Sequence, residues 1–244
     1  MEWATQNDVI TKLTGRMEHI KLIEKGPQKI DLLLIAPATA NTLSKIASGI
    51  SDSLVTLIAS SALGSGIPIV VAPSMHASLW SNSVVKLNLD RLKKLEVDIL
   101  ASQIVEGKAK ISSTEIIVNE VIHYLTPQSL AGTHVFVTAG PTYENIDPIR
   151  VLTNRSTGKM GFALAKEAWI RGAEVTLVSG PTTLSPSKSI DYTQIVTSRE
   201  LLKVVKSKLK AKKYDLFLAA AAPGDFLPVE PKNEKISSRT SQTF

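Results

Sequence analysis

Short runs of aliphatic and β-branched residues alternate with helical patterns along this chain, and the alternation starts again in its second half. The pattern predicts parallel strands joined by helices, which is an α/β fold with mostly parallel sheets. The predicted strands are Asp31–Ala36, Ile67–Ala72, Val97–Ala101, Val135–Thr138, Val175–Ser179 and Leu216–Ala220. The predicted helices are Asn7–Leu22, Ala40–Ala47, Leu54–Ala62, Ala77–Leu95, Thr114–Tyr124, Lys159–Arg171 and Ser198–Lys210.

The two halves are separated by Thr126–Thr133, whose sequence TPQSLAGT has the Pro, Ser and Gly content of a linker. The length of 244 residues also exceeds what one small core usually needs. We therefore expect two domains, residues 1–128 and residues 129–244.

The composition narrows the classes of protein to which this chain can belong. Because it contains no cysteine, it has no disulfide, no cysteine-ligated zinc or iron–sulfur site and no thiol nucleophile. The sequence shows neither an apolar run of roughly 18 residues nor a signal peptide, so we expect a cytoplasmic protein. No two histidines have metal-ligand spacing on a helix face, so we expect no zinc site.

The net charge of +6 comes largely from one stretch, KVVKSKLKAKK, at residues 203–213. A basic stretch can bind nucleic acid, but this one has no interleaved aromatic residues. We therefore expect a solvated helix face there and no nucleic-acid partner.

In parallel sheets, ligands bind at the carboxyl ends of the strands, so we expect the functional residues in the loops that follow the strands. In APATANT, residues 36–42, the polar side chains of Thr39, Asn41 and Thr42 lie beside a predicted helix N-terminus that favours an anion. Simple capping of that helix is the alternative. In PSMHASLW, residues 73–80, Met75 beside His76 can line a flat aromatic cofactor or pack in the core.

The second half has a loop of the same kind before its first predicted helix. In NRSTGKMG, residues 154–161, Gly158 and Gly161 leave the start of a helix bare, so its N–H groups and dipole can face an anion. The alternative is a helix capped by Ser156 or Thr157 after a tight turn. The spacing of the residues in GPT (140–142) and GKMG (158–161) is that of neither a Walker A motif nor a dinucleotide motif. This argues against a generic nucleotide-binding oxidoreductase.

Taken together, these loops resemble the motifs of the bifunctional coenzyme A biosynthesis family. HIKL at residues 19–22, APATANT and PSMHASLW are similar to flavin-dependent phosphopantothenoylcysteine decarboxylases. TAGPTYENIDPIR (138–150), TNRSTGKMG (153–161), AAAAPGDF (219–226) and EKIS (234–237) are similar to phosphopantothenate-cysteine ligase. The resemblance implies two Rossmann-like three-layer domains, a flavodoxin-like flavoprotein domain followed by a CTP-dependent ligase domain.

For the first domain, the resemblance implies FMN as cofactor and decarboxylation of phosphopantothenoylcysteine to phosphopantetheine. It assigns the role of base to His19 and a contact with the substrate carboxylate to His76. The residues that it places at the flavin are Thr39, Ala40, Asn41, Thr42 and Met75. Relatives build this site between subunits, so a homo-oligomer is also implied.

For the second domain, the resemblance implies that CTP and Mg2+ activate phosphopantothenate, which then joins cysteine. Asn154 matches the residue that holds the acyl-cytidylate. Ala221 and Asp225 match contacts to cytidine, and Lys235 matches a lysine on the triphosphate. Fixed positive charge there would stabilise the transferring phosphoryl group.

Three departures from the family pattern bear on these expectations. His76 occupies a position that is usually Asn, and the stretch IVEGKAKI (104–111) lacks the usual acid cysteine, which leaves Glu106 as a weak candidate proton donor. The first strand and the end of the ligase are also missing, so we expect a chain truncated at both ends. The alternative functions are a non-catalytic binding or regulatory subunit and an inactive fragment.

Overall fold

The structure, a computed structural model, describes residues 2–13, 17–24, 29–100, 103–105, 108–187 and 189–237. The chain divides into two compact units, Met1–Leu125 and Thr126–Phe244. In the described ranges, no helix has the length and apolar character needed to cross a membrane.

The first unit is built on a sheet of three parallel strands. Its elements are α1 (Glu2–Thr5), α2 (Glu18–Ile23), β1 (Leu33–Ala38), α3 (Ala40–Ala47), α4 (Leu54–Gly64), β2 (Ile69–Pro73), β3 (Met75–His76), α5 (Ala77–Trp80), α6 (Ser83–Lys94), β4 (Asp98–Ile99), β5 (Gln103–Val105), β6 (Lys108–Lys110) and α7 (Thr114–Leu125). The parallel strands lie in the order β1–β2–β4, and β3, β6 and β5 form a small antiparallel sheet.

Helices cover both faces of the parallel sheet, which gives the predicted three layers. On one face the buried residues of α3, α4 and α6 pack with β1 and β2. On the other face Ile117 of α7 packs against Val70, Ala72 and Leu100. β2 is therefore buried on both sides, as its continuous apolar run IVVA indicates.

Two predicted helices of this unit are confirmed only in part: Asn7–Leu22 is helical from Glu18, and Ala77–Leu95 is interrupted after Trp80. Residues 7–13 are not helical, because the Asn7 side chain donates to the Thr5 carbonyl at 2.9 Å and competes with helical hydrogen bonding. The predicted helix Ala77–Leu95 is two helices, because Asn82 Oδ1 accepts from Val84 N at 2.8 Å and caps a new start. Among the strands, Asp31–Ala36 is shifted to Leu33–Ala38, and Val97–Ala101 is reduced to Asp98–Ile99.

The second unit repeats the design with a sheet of four parallel strands. Its elements are β7 (His134–Ala139), β8 (Tyr143–Asn145), β9 (Val151–Thr153), α8 (Lys159–Ile170), β10 (Glu174–Ser179), β11 (Asp191–Gln194), α9 (Ser198–Ala211) and β12 (Leu216–Ala219). The strand order is β11–β10–β7–β12, and β8 pairs with β9 in an antiparallel hairpin. Three of these strands, β8, β9 and β11, escape the sequence prediction because they are short and mostly polar or exposed.

Helices again cover both faces of this sheet. Phe162, Ala165 and Trp169 of α8 pack against one face. Leu201, Val204 and Val205 of α9 pack against Phe136 and Val178 on the other. The lysine-rich side of α9 faces solvent. Lys208 of α9 pairs with Asp191, and Lys212, the residue after the helix, pairs with Glu174, both at 2.7 Å.

A carboxyl group with a raised pKa, that of Glu120, lies where α7 meets β4. Glu120 and Tyr124 are four residues apart on α7 and share one helix face, towards Asp98. Burial raises the pKa of Glu120 to about 7, and repulsion from Asp98 adds to the shift. Burial and the same carboxylate raise the pKa of Tyr124 to about 12.

We expect the stability of the first unit to fall as the pH rises from about 4.5 to about 7. The pKa of Glu120 is about 7 in the folded state and 4.5 in the unfolded chain, so the folded state binds this proton more tightly. The stabilisation that the bound proton provides is complete below pH 4.5 and is lost as the pH rises through about 7. Glu120→Gln should remove most of this dependence and be more stable than the parent at pH 8. Urea unfolding at pH 5 and pH 8 measures both effects. The control is Glu115→Gln in the exposed first turn of α7, and an unchanged slope in Glu120→Gln would contradict the assignment.

Candidate functional site

In the first unit, the loops that follow β1 and β2 meet at the same edge of the sheet. Ser74 N donates to the Ala38 carbonyl at 2.9 Å, which ties the second loop to the first. Thr39 is the N-cap of α3: its Oγ1 accepts from Thr42 N at 3.3 Å and lies 3.1 Å from Thr42 Oγ1. Thr39 therefore has the capping role that the sequence offered as the alternative to anion binding. Ala40 is buried beneath this turn and Asn41 is exposed on it.

Met75 and His76 form the short strand β3 and face different surroundings. Met75 is buried and packs in the main core cluster of the unit, which is the alternative role weighed from the sequence. His76 is exposed, and its backbone lies opposite Lys108 of β6 in the antiparallel pairing. The structure thus joins the PSMH loop to the segment in which a proton donor is expected. Glu106 lies outside the described residues.

His19 lies on α2, which packs against α4. Its side chain is half-buried, and its Nδ1 atom is shielded from solvent with no hydrogen-bond partner among the described residues. In the same described ranges, no hydrogen bond or ion pair joins His19 to Thr39 or Met75. Buried polar atoms are nearly always paired, so an orphaned imidazole nitrogen indicates a partner outside the described chain.

In the second unit, the loops after β7 and β12 run side by side and are joined by hydrogen bonds. Ala222 N donates to the Gly140 carbonyl at 2.8 Å, and Gly224 N donates to Thr142 Oγ1 at 2.9 Å. Ala221 N approaches Thr138 Oγ1 at 3.4 Å. The alanine-rich loop is therefore an extension of the sheet edge with a defined conformation.

Asn154 joins this pair of loops from a third direction. Its Nδ2 donates to the Pro223 carbonyl at 2.9 Å and approaches the Ala222 carbonyl at 3.4 Å. Asp225 is exposed next to these carbonyls, and Ala221 is half-buried. The structure thus brings together Asn154, Ala221 and Asp225 at the carboxyl ends of β7 and β12.

The start of α8 carries no side-chain cap among the described residues, in agreement with the glycines there. The alternative, a cap by Ser156 or Thr157, is absent from the part of the chain that the structure describes. Gly158, at φ 75°, occupies the N-cap position, and in the described structure no side chain caps the helix. Ser156 Oγ instead accepts from Gly158 N at 3.3 Å. A Cβ atom at Gly161 would lie 2.4 Å from the Ala139 Cβ, so α8 approaches β7 more closely than any other residue permits.

Gly161→Ala should therefore destabilise the second unit by about 2 kcal/mol, because the neighbours of the new methyl group are the rigid atoms of Ala139 and Thr138. Hydrogen exchange of peptides from β7 and α8 measures the loss. Gly64→Ala, at the end of α4, is the matched control, because a Cβ there meets nothing within 4 Å. Equal exchange in both variants would show that α8 can move away without cost.

Three buried polar residues support this site: Thr142, Glu144 and Asp147. They lie in the motif TAGPTYENIDPIR, but none of them receives an individual role from the sequence alone. Glu144 Oε1 accepts from Ser198 N at 2.8 Å and so holds the start of α9. Burial would raise the pKa of Asp147, but hydrogen bonds from the N–H groups of Arg150, Ile149 and Ile236, with the Arg150 charge, hold it below its usual range. The signal in the sequence was the Asp-Pro turn within ENIDPIR.

Lys235 is exposed near the end of the described chain. As for a metal, the described residues contain no group of three or more His, Cys, Asp or Glu side chains placed to hold one.

Two parallel sheets, with small residues, hydroxyl groups and helix N-termini gathered at the ends of their strands, define an α/β protein of the ligand-binding Rossmann-like class. The model of the Flavoprotein family matches residues 1–126. The model described as DNA/pantothenate metabolism flavoprotein C-terminal domain matches residues 130–244. The chain belongs to the Flavoprotein family.

Curated relatives match almost the whole chain. It is 47% identical over 238 residues to the coenzyme A biosynthesis bifunctional protein CoaBC of Thermococcus kodakarensis, covering 98% of this chain and 59% of the relative. It is 40% identical over 219 residues to a cysteine/cysteine sulfinic acid decarboxylase of an unknown prokaryotic organism, covering 84% of this chain and 59% of that protein. The chain thus spans about three-fifths of the length of these relatives.

Among solved structures, the C-terminal domain of a CoaBC protein is 37% identical and covers 45% of this chain and 57% of its own, with a TM-score of 0.41.

Proposed function

We propose that the first unit is an FMN-dependent decarboxylase of coenzyme A biosynthesis that converts phosphopantothenoylcysteine to phosphopantetheine. The observation that carries the proposal is the orphaned Nδ1 of His19, because the motif resemblance gives this residue the role of base. The family match and the similarity to a coenzyme A biosynthesis protein and to a cysteine decarboxylase support it.

The residues at the ends of β1 and β2 fit an FMN cofactor. Ala36 and Ala38 present no side chain beyond Cβ, and the hydroxyl groups of Thr39 and Thr42 lie 3.1 Å apart beside the start of α3. We assign the holding of FMN to Thr39, Ala40, Asn41 and Thr42. Met75, also expected at the flavin, is left out of this set because its side chain packs in the core of the unit. When bound, FMN supplies an electron sink that makes loss of carbon dioxide from the substrate easy.

Two histidines of the chain have assigned roles in this reaction. His19 takes a proton from the substrate, for which a half-buried imidazole is suited when its Nδ1 has no hydrogen-bond partner among the described residues. His76, exposed at the end of β3, binds the substrate carboxylate in place of the usual asparagine. A homo-oligomer in the cytoplasm, with the site shared between copies, completes this proposal.

For the second unit, we propose the CTP-dependent ligation of phosphopantothenate to cysteine. The observation that supports it is the contact of Asn154 with the carbonyls of Ala222 and Pro223, which joins two loops that the resemblance places at the nucleotide. Ala221 and Asp225 would contact cytidine, Lys235 the triphosphate, and Mg2+ would accompany CTP.

The decisive experiment is to add FMN to the purified chain and to follow its visible absorption through gel filtration. Comigrating flavin, with carbon dioxide release from phosphopantothenoylcysteine, is the expected result. Comigrating flavin without release would favour the non-catalytic binding subunit. Folded protein without flavin would contradict the proposal for the first unit and leave the CTP-dependent reaction to be assayed on its own.

A further inference from the structure

Residues 232–236 form neither helix nor strand, yet they are held across the loop 146–150 by three hydrogen bonds. Lys232 N donates to the Ile146 carbonyl at 3.0 Å. At the other end, both backbone groups of Ile236 are engaged by side chains: its N–H donates to Asp147 Oδ2 at 3.1 Å, and its carbonyl accepts from Arg150 Nη2 at 2.8 Å. We call Asp147 and Arg150 the clamp.

The clamp is a preformed structure. The Asp147 side chain is fully buried, and its Oδ1 accepts from the N–H groups of Ile149 at 2.8 Å and Arg150 at 2.7 Å. Its Oδ2 lies 3.6 Å from Arg150 Nε. A buried carboxylate with this many donors stays ionised at neutral pH and keeps one geometry. The turn 146–150 is thereby held by hydrogen bonds of its own in addition to its contacts with residues 232–236.

Lys235 directly precedes the clamped residue. Its side chain is exposed and forms no ion pair within the ranges that the structure describes, whereas Lys232 pairs with Glu230 at 3.1 Å. The clamp therefore fixes the backbone position from which the exposed ammonium group of Lys235 extends.

The β8–β9 hairpin connects this charge to the rest of the site. Its pairs run from Asn145 with Val151, beside the clamp, to Tyr143 with Thr153, beside Asn154. Three strand residues span about 10 Å, so the clamp and Asn154 lie at opposite ends of one short hairpin. Since Asn154 contacts the loop after β12, the hairpin sets the distance of Lys235 from that loop.

We propose that Asp147 and Arg150 are positioning residues, which hold Lys235 where its ammonium group contacts the phosphates of a nucleoside triphosphate bound at the ends of β7 and β12. The inference rests on the proposed function of the second unit. Ordering the backbone at Lys235 before the ligand arrives lowers the entropy lost on binding.

Asp147→Asn removes the contact of the clamp with Ile236 and keeps its contacts within the turn 146–150. The asparagine Oδ1 can still accept from Ile149 and Arg150, but its NH2 group replaces the oxygen that accepts from Ile236 N–H. We expect amide exchange in residues 232–237 to become about tenfold faster, the effect of losing one hydrogen bond. Glu230→Gln removes a neighbouring carboxylate without touching the clamp and should leave this exchange unchanged.

Binding of CTP and of CMP, each with Mg2+, tests the link to Lys235. Asp147→Asn and Lys235→Gln should each weaken CTP binding about tenfold and leave CMP binding within twofold, because CMP lacks the outer phosphates. The double variant should be no weaker than Lys235→Gln alone, since one residue acts through the other. A merely structural role of Asp147 would weaken CMP binding equally.

Unchanged exchange in Asp147→Asn, or independent losses that multiply in the double variant, would overturn the proposal. If the unaltered chain binds neither CTP nor CMP, the proposed function of the second unit fails and the role of Lys235 falls with it. The exchange measurement needs no nucleotide and still decides whether the clamp orders the segment, so the two failures are distinguishable.

Discussion

His19→Asn should lower the rate of carbon dioxide release by about 100-fold or more while flavin still comigrates with the protein. Removing a general base typically costs two to four orders of magnitude. The substitution should not disturb the fold, because His19 Nδ1 makes no hydrogen bond to the described part of the chain. The rate is measured with phosphopantothenoylcysteine, and flavin retention serves as the check on folding.

His123→Asn on α7 is the control for this variant, because it removes an imidazole from the same unit away from the β1 and β2 loops. It should release carbon dioxide at nearly the parental rate. A His19→Asn protein that keeps its flavin and more than a third of the rate would show that another group takes the proton. Loss of flavin in His19→Asn would instead move the residue from proton transfer to cofactor binding.

Asn154→Asp should reduce CMP formation from CTP by about 100-fold, in the presence of phosphopantothenate, cysteine and Mg2+. The side-chain amide donates to the Pro223 carbonyl, and a carboxylate there would face the carbonyls of Ala222 and Pro223 with no proton to offer. It would also repel an anionic nucleotide. The lost hydrogen bond and the repulsion of the nucleotide together account for about 3 kcal/mol, which is about 100-fold in rate.

Asn145→Asp is the matched control, because it makes the same chemical change at an exposed position of β8. Chromatographic quantification of CMP compares the two variants with the parent chain. A rate for Asn154→Asp within threefold of the parent would contradict a role for Asn154 at the nucleotide. Impaired Asn145→Asp would point to the net charge of the hairpin as the cause.

Much of the layered fold follows from local patterns. The run IPIVVA predicts a strand at Ile67–Ala72, and the structure places the strand Ile69–Pro73 between two layers of helices. Ala40–Ala47 begins where Thr39 can cap it and ends where its apolar face ends. Periodicity failed for Asn7–Leu22 and at Asn82, because a short-range hydrogen bond from an asparagine outweighs a weak helical preference.

The sequence by itself determined the α/β class and indicated which loops gather at the strand ends, because periodicity reports which side of each element is buried. Only the tertiary structure decided that Asn154 contacts Pro223, 69 residues away, and that Asp147 holds Ile236, 89 residues away. Such contacts join single side chains to backbone groups of distant segments. They leave no periodic trace in the chain, and their formation depends on the packing that brings β7, β12 and the β8–β9 hairpin to one edge.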